Sequence, residues 1–146
     1  MTKLSAILIL VLVINAGAWS QSQNNPFLGR WDFNTSVSIA MYRESQPTLS
    51  SSQMQSVRAW MTKSYAGTTF VSGADGQAFL KNLPRLKPGT PPTTEMTDWK
   101  GSWTADGDGY DLTLTANGEN KSMTAKVSND RLTIVDDKNT WIFDRE

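Results

Sequence analysis

Any chemistry in this chain must come from carboxylates, Lys, Tyr, Ser and Thr, because its 146 residues include no His and no Cys. That composition excludes a thiol nucleophile, a disulfide and a thiolate metal site. The densest acidic stretch is Asp106-Gly107-Asp108-Gly109-Tyr110-Asp111. Its Asp-x-Asp spacing resembles the start of a Ca²⁺ loop. The fifth position, however, is Tyr110, and the twelfth is Asn117 where such a loop needs a bidentate Glu. Gly107 and Gly109 fit a hairpin turn better. The sequence holds no Gly-x-Ser-x-Gly elbow, phosphate loop or nucleotide fingerprint. No spacing singles out a carboxylate pair for glycoside hydrolysis. The expectation is a protein that is not an enzyme and carries no cofactor or metal.

Aromatic and large apolar side chains make the positive case. Phe33, Trp60, Phe70, Phe79, Trp99, Trp103, Leu114, Met123 and Trp141 are the candidate ligand-binding set, converging inside a barrel. An eight-stranded barrel has an interior that side chains can fill or that can hold one small ligand. Two functions follow. The first is a carrier of a small hydrophobic molecule. The second is a solid barrel whose rim binds another protein, as an inhibitor or an envelope accessory factor.

These side chains are positioned by a run of short alternating segments between Glu95 and Phe143. Asp-Gly, Asn-Gly, Asn-Asp and Asp-Asp-Lys-Asn separate the segments, the pattern of an antiparallel meander with one dry face. Trp99 and Trp103 share a face, as do Tyr110, Leu112 and Leu114; Met123, Ala125 and Val127; Leu132 and Ile134; and Trp141 and Phe143. A slip of one residue would turn each set into water, so the register is strongly specified. Val135 and Ile142 break the alternation and mark contact with another element or isolated surface positions.

Before the meander, apolar residues at 27, 31, 33, 37, 39 and 41 predict a long strand, or two strands bent at Asn34-Thr35-Ser36. A helix follows Pro47, with Ser50 as N-cap and Gln53 completing a capping box. Its core stripe is Met54, Val57, Met61 and Tyr65, flanked by Trp60, and Gly67 is expected in the left-handed position just past its end. Thr68–Ser72 and Gln77–Leu80 predict a hairpin. Leu80 to Glu95 reads as a Pro-rich connection with local positive charge at Lys81, Arg85 and Lys87, best taken as a solvated loop.

Residues 1–18 have the order of a secretory signal: Lys3, the apolar run Leu4–Val13, then Ala16-Gly17-Ala18. Residues 19–26 are a polar arm, and 27–146 form one domain of a size that can fold without disulfides. The expected location is secreted or periplasmic, with no stable membrane insertion once the signal is removed. Lys+Arg and Asp+Glu both number 14, and loss of Lys3 leaves one net negative charge. Nothing offers the basic face that nucleic acid requires.

Phe27-Leu28-Gly29-Arg30-Trp31, followed by hairpins and a late Arg145, resembles the lipocalin-like (calycin) group, whose first strand carries Gly-x-Trp. Phe70 to Gly76, Gly101-Ser102-Trp103 and Gly107-Asp108 are similar to the phrases of small bacterial secreted domains of that group. The resemblance implies a mainly β fold: an antiparallel up-and-down barrel of about eight strands with one helix inserted after the first strand or strands. It also implies a closed end built on Gly29, Trp31 and Arg145, with the Arg stacked on the indole. Fatty-acid-binding proteins begin similarly, but their paired Arg-x-Tyr near the C-terminus is missing here.

Overall fold

The computed structural model describes residues 24–85 and 95–146. The signal at 1–18, the first part of the arm, and Lys87 with the rest of 86–94 lie outside the described residues. Eight strands form a closed antiparallel up-and-down barrel in which each pairs with the next and the last pairs with the first. They are β1 (Gly29–Phe33), β2 (Thr69–Ser72), β3 (Gln77–Pro84), β4 (Met96–Asp106), β5 (Gly109–Ala116), β6 (Glu119–Ser128), β7 (Arg131–Val135) and β8 (Thr140–Arg145). Two helices, α1 (Thr35–Ser45) and α2 (Ser51–Ser64), connect β1 to β2.

The tight turns follow from residues that accept positive φ. Asn117 and Gly118 have φ of 50° and 77°, and Asn129 and Asp130 have 52° and 57°. Both central residues on that side of the map are what a two-residue hairpin matched to strand twist requires. Gly107, at φ 60°, opens the Asp106–Gly109 turn, so the acidic stretch is a hairpin, with Asp108 reaching Lys126 at 3.0 Å.

The alternation of the meander holds strand by strand. Leu112, Leu114, Met123, Ala125, Leu132, Ile134 and Phe143 are all at most 3% exposed. With Phe70 and Leu80, both fully buried, they fill the middle of the barrel. Ile142 is buried on the outer side of β8, where α1 packs.

Residues 34–45 correct the sequence reading. They form α1, not a continuation of the strand, so the barrel carries two inserted helices where one was expected. Asn34 is the N-cap, its side-chain oxygen accepting the Val37 N–H at 2.9 Å. Val37, Ile39 and Met41 fit a strand by parity, but on the helix Ile39 turns inward while Met41 stays 40% exposed. The second helix is as expected, with a reciprocal capping box between Ser50 and Gln53. Gly67 is absent from the positive-φ residues, and the helix instead ends on Tyr65 at φ −100°. β3 also runs four residues past Leu80. A bulge lets it do so: Asn82 takes φ 54°, donates its N–H to Asp98 and its side-chain amide to the Gly67 carbonyl.

Candidate functional site

The two ends of the barrel differ in how they are closed. At one end Phe27 is fully buried, stacked on Tyr110 at 4.1 Å and edge-on to Trp103 at 5.2 Å. Its carbonyl accepts from the Trp31 indole at 3.0 Å and from the Ser72 hydroxyl. The Arg145 guanidinium lies over the Trp31 ring, 4.2 Å from its centre. It donates to the carbonyls of Leu28, at 3.0 Å, and Pro26. Gly29, at φ +115°, lets the chain pass beneath it. Gly29, Trp31 and Arg145 thus come together at this end of the barrel.

The opposite end carries an open cleft of about 540 Å³. Tyr65, Leu83, Trp99 and Trp141 supply its apolar walls, and Thr97, Asn117 and Asn139 its neutral polar groups. Trp99 and Trp141 are each 6% exposed, turned inward by the alternation of β4 and β8. Tyr65 is 7% exposed and arrives from the end of α2, its ring stacked on Phe33 at 4.4 Å. Burial pushes its phenol pKa up, offset in part by a hydrogen bond from the Trp141 indole.

Charge enters this apolar setting from the inside of β6. Lys121 lies opposite Leu114, on the inward face shared with Met123. Its ammonium is 5.0 Å from the centre of the Trp99 ring, within cation–π range, and 3.7 Å from Asp136. Asp136 has a side chain only 5% exposed and accepts from the backbone N–H groups of Lys138 and Asn139 at 2.8 and 2.7 Å. Arg85 and Glu119 meet across the rim at 3.9 Å, with Glu95 3.8 Å from Arg85.

No family model matches the chain, and no match was found among curated proteins or solved structures. The closed eight-stranded barrel fits a lipocalin-like architecture, and that is a statement about fold alone.

The nine expected ligand-site residues are divided among several places. Trp99 and Trp141 line the cleft. Phe70, Leu114 and Met123 fill the barrel below it. Phe33 and Trp60 pack against Tyr65, the latter edge-on at 5.9 Å, and the Trp60 indole N–H is buried with no hydrogen-bond partner among the described residues. Trp103 belongs to the closed end, where its indole donates to Gly73 at 2.9 Å.

Phe79 is not inside the barrel. It pairs with Val71 and Lys100 on the outer face, because Ala78 and Leu80 take the inward positions, and the Lys81 ammonium sits 5.9 Å from its ring. Tyr65 and Lys121 were not among the expected site residues. Tyr65 was read only as helix packing, and the charge of Lys121 masked its parity with Met123.

Proposed function

We propose that this chain is an exported, lipocalin-like binding protein that acts by holding a small molecule, not by catalysis. The observation that carries the reading is the cleft of about 540 Å³ walled by Tyr65, Trp99 and Trp141. Its volume falls in the range of small-molecule sites, roughly 300–1,000 Å³. The filled barrel beneath moves the binding site from the interior to the open mouth, where rigid rings offer flat apolar surface without paying for reorganisation. Export is supported by the charged, apolar and small-residue order of residues 1–18.

The test is a titration with N-phenyl-1-naphthylamine, a neutral flat dye, followed by its own emission and by tryptophan quenching. Saturable one-to-one binding supports a ligand site at the mouth. Absence of any response, from this and other apolar dyes, overturns it.

The second reading, a solid barrel that binds another protein, draws on the filled interior and on Met41 and Tyr42 of α1, each 40% exposed. Silence in the dye titration would favour it.

A further inference from the structure

We infer that the cleft selects a flat aromatic molecule bearing a carboxylate, with Lys121 as the residue that sets the preference. The inference rests on the cleft being a binding site and adds the chemical class of what it takes. Flatness comes from the walls. Trp99, Trp141 and Tyr65 are all more than nine-tenths buried, so each presents a fixed ring edge or face to the cleft. Such surfaces favour offset or edge contacts with another ring.

The preference for negative charge comes from how Lys121 is held. A charge on the inward side of a strand is costly unless it meets a partner. Asp136 is a loose partner. At 3.7 Å the pair is well beyond the roughly 2.7–2.9 Å of a direct charged hydrogen bond. Asp136 is also engaged elsewhere, by two backbone N–H groups of its own turn. The Lys121 ammonium rests over the Trp99 ring and keeps donors for an incoming anion.

Two further groups agree. Lys138 lines the cleft with no carboxylate at ion-pair distance among the described residues. The Tyr65 hydroxyl, on the same lining, supplies a neutral donor. Glu119 is the opposing charge in the lining, and it is drawn to Arg85 at 3.9 Å. A ring seated against Trp99 in the cleft therefore brings its carboxylate to the Lys121 side.

The experiment compares 2-naphthoate with 2-naphthalenemethanol, the same ring system with a neutral head, on the full folded domain. Wild-type protein is expected to bind the acid about tenfold more tightly, and Lys121→Met is expected to bring the ratio to about one. Equal affinity in wild type, with N-phenyl-1-naphthylamine still saturating, overturns the charge preference and leaves the cleft reading intact. A ratio that survives in Lys121→Met overturns the role of Lys121. If none of the three compounds saturates, the cleft reading fails and this inference fails with it. The wild-type comparison needs no substitution, so it decides the charge preference even if the variant does not fold.

Discussion

Lys121 and Trp99 meet across the inside of the barrel mouth, ammonium to ring centre 5.0 Å. They stand on β6 and β4 with β5 between them, each on its inward face. Gly101, next inward on β4, pairs with Leu114, and Leu114 with Lys121. A cation–π contact at a partly exposed site is worth about 0.5–1 kcal/mol.

A double-mutant cycle with Lys121→Met and Trp99→Leu is therefore expected to give a coupling energy of about 0.5–1 kcal/mol in urea denaturation. Additive losses would mean that the ammonium and the ring do not interact in solution. The Lys121 side chain is 34% exposed, which keeps the expected value at the low end of charged contacts.

The closed end yields a sharper expectation. Trp31 is fully buried beneath Arg145, and its indole donates to Phe27. Trp31→Ala removes the ring on which the plug rests and should cost about 3–5 kcal/mol. Arg145→Lys keeps the charge but loses the planar fork that reaches both Leu28 and Pro26. A loss of about 1–2 kcal/mol is expected, read as a lower urea midpoint at unchanged slope. Wild-type stability in either variant would contradict the closed-end geometry.

Much of this fold was legible because a meander repeats one rule. Leu112, Leu114, Met123, Leu132, Ile134 and Phe143 follow period 2 between turns that residue type announces, and all face inward. The rule fails where two periods agree over a short stretch. Val37, Ile39 and Met41 satisfy a strand as well as they populate a helix, and only the Asn34 cap separates the two. It fails again at Phe79, whose neighbours Ala78 and Leu80 are both apolar. Pairing with Val71 and Lys100 decides the face there, and pairing is not a local property. The cleft was less legible than the barrel, since it joins residues from α2, β4, β6 and β8 that no linear spacing relates.

Two glycines should respond very differently to the same substitution. A Cβ on Gly101 would lie 1.9 Å from the Thr113 carbonyl oxygen, on the neighbouring strand. That clash is with backbone inside a closed sheet, so Gly101→Ala should cost about 3 kcal/mol or more. Gly118 has nothing within 4 Å of the same position, and its penalty comes only from φ +77°. Gly118→Ala should cost about 1–2 kcal/mol. Thermal melts of the pair check the difference, and equal losses would show that strand pairing near Gly101 is looser than the barrel requires.

Tyr65 couples the same end of the barrel to pH. Burial is the larger influence on its phenol and raises its pKa above the ordinary value of 10.0, while the Trp141 hydrogen bond opposes it. The neutral form is therefore favoured in the folded state. In the unfolded chain the phenol ionises near 10, so above that pH the unfolded state binds fewer protons than the folded one, and stability falls as pH rises. The contribution is fully present below pH 10 and is lost as pH climbs through the folded value. Tyr110, at the closed end, is shifted in the same direction by burial. Tyr65→Phe should remove only its own share of the alkaline loss, leaving that of Tyr110. Urea midpoints measured at pH 8 and pH 11 would show a smaller drop for Tyr65→Phe than for wild type. An identical drop in both would mean that the Tyr65 hydroxyl is as well hydrated in the fold as outside it, and the wall it forms beside Trp141 would not be dry.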